Sequence, residues 1–290
     1  MSPVKNGLPR VTELTKQDLA LLPPRPRDGH KGTFGRVLVV GGSLCMSGAG
    51  YLAAKAALRA GCGLCEIFCP WENRVIYQTQ LPEALLTCYT EEEPTGPLAK
   101  ALARADAVAF GMGLSQSEVT AKLLSAVLTG CDKPLVLDAD GLNVAAKDRA
   151  LFDLVSAYPA PVVLTPHMGE MSRLTGVAVA ELTHDPLTHA AALADKADAV
   201  VALKSDRTVV TDGQRAARNV FGNSGMATAG SGDVLSGITA AFLARGMNAY
   251  DAARCAVLAH ALAGDAAKTK RGENGLLASD IIDGLCAVLP

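Results

Sequence analysis

The segment from Gly222 to Gly237, GNSGMATAGSGDVLSG, concentrates the residue types best suited to handling a phosphate. Within it, Gly230-Ser231-Gly232-Asp233 opens an apolar stretch that reads as a long helix. A glycine turn at a helix start aims several free backbone N–H groups at one point, and the helix dipole adds to their pull on an anion. Glycine suits such a turn because a Cβ would hold the phosphate away from the backbone. Asp233 is out of place in a plain anion site, since a carboxylate repels phosphate. It fits a general base beside a transferring phosphoryl group. It fits equally well as an acid that favours a helix N-terminus, and position alone leaves both readings open.

Two better-known phosphate motifs are excluded. Gly225 to Gly230 has the spacing of a Walker A loop, but Ser231 stands where that loop needs lysine. Gly48-Ala49-Gly50-Tyr51-Leu52-Ala53 matches G-x-G-x-x-A, yet it lies well past the strand ending at Val40 rather than in the turn itself. A hydride-transferring dehydrogenase is therefore disfavoured. The cluster Cys62-Gly63-Leu64-Cys65 with Cys69 could in principle hold a metal or cycle redox state. The segment reads as a buried strand, on which residues three apart face opposite ways, and no second pair completes a ligand set. Core cysteines are the expectation.

The elements that must position these residues alternate along the chain. Strands are expected at Arg36–Val40, Cys62–Cys69, Ala105–Phe110, Leu135–Asp138, Val162–Thr165 and Ala199–Lys204, the last followed by a hairpin through Thr208–Thr211 and Asp212-Gly213. Helices are expected at Leu14–Leu22, Gly48–Ala60, Leu98–Arg104, Ser117–Thr129, Ser231–Arg245, Ala249–Ala267 and Ser279–Val288. Continuous apolar strands alternating with helices predict a mainly parallel sheet covered on both faces, an α/β sandwich. Such sheets bind ligands at the carboxyl ends of their strands. Those ends carry Gly41-Gly42-Ser43, Gly111-Met112-Gly113, Asp138-Ala139-Asp140, Thr165-Pro166-His167 and Lys204-Ser205, so polar and glycine residues gather on one edge.

Composition narrows the partners. The 290 residues are 49% hydrophobic with 4% aromatics and a net charge of −2, so the core is aliphatic and no basic excess favours nucleic acid or an anionic membrane. No apolar stretch is long enough to span a bilayer, and the start lacks an apolar signal core. The expected location is cytoplasmic, with eight free thiols. Residues 1–11 read as a tail and 12–290 as one domain.

The segments His30–Arg36 (HKGTFGR), Gly41–Ser43 with Gly48-Ala49, Pro82-Glu83, Gly111–Leu114, Asp138–Asn143, Thr165–Glu170 (TPHMGE), Lys204–Thr208 and Gly222–Gly237 occur in an order that resembles the ADP- or ATP-dependent NAD(P)H-hydrate dehydratases of the ribokinase-like superfamily. The resemblance covers roughly residues 12–290 and implies a ribokinase-like three-layer α/β/α sandwich. It implies that Asp233 takes the proton from a hydroxyl on hydrated NADH or NADPH (NADHX, NADPHX). The oxygen then attacks the terminal phosphate of the nucleotide, and phosphate leaves to restore the ring double bond. Gly230, Ser231 and Gly232 would form the phosphate site, and Lys204, Ser205, Asp206, Arg207 and Thr208, with Gly232, would bind nucleotide. Ala49, Gly113, His167 and Asp233 would bind the hydrated dinucleotide.

The donor implied is ADP, giving AMP and phosphate, or alternatively ATP. Mg2+ would sit near Glu170, with Asp138 and Asp140 as further candidates. Two departures stand out: Ser205 where the family usually has glycine after the lysine, and Met112 where it often has proline. Each residue also has a plainer reading: a solvated strand-end lysine for Lys204, a structural histidine for His167, a helix-start acid for Glu170, and turn acids for Asp138 and Asp140. The resemblance further suggests a homotetramer, and a separate epimerase for the R form of the hydrate, because only a short lead-in precedes the dehydratase-like region. The rival reading is a ribokinase-like kinase acting on a small vitamin precursor, which would share the glycine turn and base.

Overall fold

Short runs of apolar residues with no polar alternation can be buried only where both faces of a sheet are covered. The computed structural model describes residues 8–290, so seven residues of the expected tail lie outside it. It forms ten strands: β1 (Val11–Glu13), β2 (Arg36–Val40), β3 (Leu64–Pro70), β4 (Leu85–Tyr89), β5 (Ala107–Phe110), β6 (Leu135–Leu137), β7 (Val162–Leu164), β8 (Val200–Leu203), β9 (Val209–Thr211) and β10 (Ala216–Arg218). They make one sheet in the order β1-β10-β9-β8-β7-β6-β5-β2-β3-β4. The strands from β8 through β4 run parallel to one another, while β9 is antiparallel to both its neighbours.

Strand alternation divides the core in two. Val37 and Val39 point into one layer and Leu38 and Val40 into the other. The first layer is closed by helices Ser47–Arg59, Ser231–Ala244, Ala249–Arg271 and Ala278–Gly284, the second by the helices between Leu98 and Ala197. Each large aliphatic side chain fully buried there contributes about 1.5–3 kcal/mol. The first layer is rich in alanine and glycine, which lets helices approach at backbone distance. A Cβ on Gly237 would sit 2.1 Å from the Ala53 carbonyl oxygen, so any side chain there would push helices Ser231–Ala244 and Ser47–Arg59 apart.

Several sequence expectations change in detail. Leu14–Leu22 forms not an α-helix but a 3-10 turn over Lys16–Leu21, and Val11, placed with the tail, opens edge strand β1. The expected helix Ser279–Val288 ends at Gly284 and tightens into a 3-10 turn. Cys62 falls before β3 rather than on it, so it does not face away from Cys65; both pack into the same core layer. Burial pushes the Cys62 thiol up to about 12 and Cys65 well above its ordinary range, as befits inert core thiols. No helix among the described residues is long and apolar enough to cross a membrane.

Candidate functional site

Neighbouring strand ends deliver the polar residues. Asp138 follows β6 directly, and its N–H donates to the Phe110 carbonyl at the end of β5. Gly111 makes this closure possible: it has φ +122, and a Cβ there would fall 1.9 Å from the Asp138 carbonyl oxygen. Beyond β7 and β8, the pairing continues as a single bridge between His167 and Lys204. Helix Ser231–Ala244 then brings its first turn over these ends.

There Lys204 Nζ donates to Asp138 Oδ1 at 2.7 Å and lies 3.8 Å from Glu170 Oε2. The other Asp138 oxygen accepts from Ser236 Oγ at 2.7 Å. Ser236 lies three residues past Asp233, on the same helical face. Gly232 packs on the lysine: a Cβ there would lie 3.2 Å from Nζ. Gly230 has φ +88, a left-handed conformation that starts the helix without a capping side chain.

The charges do not balance locally. Asp138, Glu170 and Asp233 surround one ammonium. Burial alone would lower Lys204, but the Asp138 and Glu170 carboxylates outweigh it and hold the ammonium above its ordinary range. Burial raises Glu170, with Lys204 partly offsetting it. Burial and then the Asp138 charge push Asp233 up to about 7, against the pull of Lys204.

These groups line one cavity of about 840 Å³. Asp138, His167, Glu170, Lys204, Ser231, Gly232 and Asp233 form its polar end, with Ser205, Asp206 and Thr208 beside them. The Thr208 hydroxyl and the Ser205 backbone bond to each other and fix that loop. Phe221, Met226, Val257 and Ala261 supply an apolar wall. That size and mix suit a ligand with an anionic and a flat apolar part.

Other candidates stand elsewhere. Arg207 is exposed, and neither it nor Gly230 lines the cavity. Ala49 and Gly113 also lie outside it and meet each other, with a Cβ on Gly113 only 2.7 Å from that of Ala49. Leu52, one turn along from Ala49, packs on Gly230, so the Ala49–Gly113 surface and the cavity adjoin at the glycine turn. Asp140 accepts from the Ser115 N–H at 2.7 Å and does not line the cavity.

His167 and Glu170 are engaged in a reciprocal helix cap. His167 Nδ1 accepts from the Gly169 N–H at 2.9 Å, and Glu170 Oε2 accepts from the His167 N–H at 2.8 Å. Burial and then Lys204 lower the His167 pKa, so the ring is neutral. Among the described residues, no group of three or more His, Cys, Asp or Glu is arranged to hold a metal.

Ser236, His260 and the apolar wall join the site only in the folded chain. Ser236 had a signal in its helical spacing from Asp233; His260 had none, since helix Ala249–Arg271 meets the glycine turn only through packing.

The strand order and the site at the carboxyl edge define a ribokinase-like α/β enzyme fold. The chain belongs to the NAD(P)H-hydrate dehydratase family, whose model matches residues 37–286. The ADP-dependent (S)-NAD(P)H-hydrate dehydratase of Neisseria meningitidis is 39% identical over 264 residues, covering 89% of this chain and 86% of that one. The bifunctional NAD(P)H-hydrate repair enzyme Nnr of Moorella thermoacetica is 42% identical over 278 residues, 92% of this chain and 52% of that one. The chain spans about half the length of such bifunctional relatives. A crystal structure of the ADP/ATP-dependent NAD(P)H-hydrate dehydratase of Bacillus subtilis, co-crystallized with ATP/Mg2+, superposes with a TM-score of 0.83 at 31% identity, covering 98% of both chains.

Proposed function

We propose that this chain dehydrates (S)-NADHX and (S)-NADPHX to NADH and NADPH at the expense of ADP, giving AMP and phosphate, with ATP as the other donor. The observation that carries the reading is Asp233, a carboxylate poised at about 7 on a glycine turn whose Ser231 and Gly232 line the cavity with it. A base with that pKa is about half ionised at neutral pH and, once ionised, able to take a proton.

In the proposed reaction Asp233 accepts the hydroxyl proton of the hydrate. The freed oxygen bonds to the terminal phosphorus while the bridging P–O bond breaks, and AMP leaves with the electron pair. The new phosphate ester then departs with its C–O pair, a ring proton is lost, and the double bond returns. Gly230, Ser231 and Gly232 would hold the transferring group, and Lys204 would neutralise its charge. The apolar wall at Phe221 and Met226 suits the flat base of a nucleotide, with Ser205, Asp206 and Thr208 along its edge; Arg207, exposed beside them, would reach the nucleotide from outside the cavity. Ala49 and Gly113, on the far side of the turn from the nucleotide, would take the hydrated dinucleotide together with His167, which reaches it from the polar end of the cavity. A base between two adjoining ligand surfaces is what transfer between them requires.

Mg2+ fits this site as a companion of the phosphates. Three carboxylates around one ammonium leave unneutralised negative charge, and Mg2+ is commonly held by one or two carboxylates plus phosphate oxygens. Glu170 would hold it, and the ion would supply charge neutralisation at the phosphates. A cytoplasmic homotetramer served by an epimerase activity for the R form completes the reading; the free state of all eight cysteines supports the compartment.

The test is absorbance on enzymatically hydrated NADH with ADP and ATP supplied separately, plus Mg2+. Return of the dihydronicotinamide band is expected, faster with ADP. Stable phosphate ester accumulating from a small vitamin-like alcohol, with no return of that band, would overturn the reading in favour of a kinase.

A further inference from the structure

Ser231 stands first in its helix, after a glycine that offers no cap. The N–H groups of Gly232 and Asp233 find no acceptor among the described residues. A serine hydroxyl in the first turn of a helix can bond to nearby backbone groups instead of a ligand or neighbour. Here it is turned away: Ser231 Oγ lies 3.2 Å from Nε2 of His260, on helix Ala249–Arg271. Both side chains line the same cavity as Gly232, Asp233 and Lys204. Burial pushes the His260 pKa down to about 4, opposed by a hydrogen bond with the Ser231 backbone and aided by Lys204, so the ring is neutral and carries one N–H. When Nε2 carries that proton and donates it to Ser231 Oγ, the serine's own proton is free to be donated onward, and the open direction is the cavity.

We propose that His260 is a positioning residue acting through Ser231: it draws the hydroxyl off the first helical turn and makes it a donor to the phosphoryl group held there. Two gains follow from one contact. The first-turn N–H groups stay open to the anion, and a further donor, the hydroxyl, is added beside them. Because the ring is neutral, the effect is geometric rather than a matter of added positive charge. The inference rests on the phosphoryl-transfer reading of the site, but its signature in nucleotide binding does not require turnover.

The experiment is a double-mutant cycle on the full chain with S231A, H260A and the double variant, plus H260Q, whose amide N–H can reach about the place of Nε2–H. Each protein is assayed with hydrated NADH, ADP and Mg2+, and titrated with ADP alone. Losing one donor to a developing charge costs about 100- to 1,000-fold, and loss of its orientation alone should cost about 10-fold in kcat. KM for the hydrate should hold within about twofold, ADP should bind several-fold more weakly, and H260Q should restore most of both. The double variant should be no worse than either single one, the mark of residues acting as a unit.

Additive losses, or an H260A protein with unchanged kcat and ADP affinity, would overturn the proposal. Should H260A fold poorly, S231A and H260Q decide it: a loss of kcat and ADP affinity in S231A with H260Q near wild type supports it, and an S231A protein with unchanged kcat and ADP affinity sinks it. A wild-type protein that binds ADP through this coupled pair yet never restores the dihydronicotinamide band would defeat the dehydratase reading and leave the positioning role standing.

Discussion

Two buried carboxylates on the same sheet meet opposite fates. Glu66, in the middle of β3, accepts from Arg104 with both oxygens and from Thr87, and its neighbourhood is neutral. Asp138, just past the end of β6, is also paired, but its ammonium is shared with Glu170, and Asp233 stands close enough to be pushed up to about 7. Both oxygens of Glu66 are paired with Arg104 and Thr87, so its charge serves the fold. At the strand ends the same chemistry leaves three carboxylates to one ammonium beside a cavity, and the imbalance is what a phosphate-bearing ligand with its cation can use. A buried ion pair therefore says little by itself; the count of charges around it and the access to it say more.

The largest effect that would sharpen this contrast is expected from Asp233→Asn. It keeps the shape and removes the base, so turnover should fall by about 10³-fold or more while ADP still binds. Full activity in that variant would break the mechanism. Lys204→Met comes next. It should lower kcat by about 10²-fold and also destabilise the fold, because Asp138 and Glu170 lose their counter-charge; a variant with normal melting temperature and normal kcat would deny both halves.

Arg104→Met tests the other side of the contrast. It strands Glu66, but Arg104 is half-exposed, so about 2 kcal/mol is expected rather than the full cost of breaking a buried pair, with kcat unchanged. A changed kcat with unaltered stability would contradict the structural role of Glu66.

The pH dependence is subtler. Activity needs ionised Asp233, so kcat/KM should rise with pH through an apparent pKa of about 7, set by burial and the Asp138 charge. Folding responds with the opposite sign. A carboxyl whose folded pKa is raised contributes stability that is present below its unfolded pKa and lost as pH rises through about 7. Asp233→Asn should therefore gain melting temperature over wild type by a few degrees as pH goes from 5 to 8, and a gap that stays constant would show the carboxyl is not raised.

Much of the site was legible because it rests on local rules. The glycine turn, Asp233 three residues into it, and polar residues at apolar strand ends follow from backbone chemistry within a few positions. The interior strands were legible for the same reason, as unbroken apolar runs. The edges were not: β1, β4 and β10 are short or half-buried, with too few residues for a period to emerge. Helix Met168–Thr175 was hidden because its start doubles as the TPHMGE segment, where His167 and Glu170 cap the helix while facing the cavity.

By itself the sequence determined the alternation of strand and helix, the edge where ligands collect, and the types of group placed there, since each is set by neighbours along the chain. Tertiary structure alone decided which of those groups touch. The Lys204–Asp138 and Ser236–Asp138 bonds join residues far apart in sequence, as does the contact between Ser231 and His260. So does the cluster of three carboxylates around one ammonium that raises Asp233. Charge interactions and desolvation depend on distance and burial in space, and only the packed sheet with its covering helices sets both.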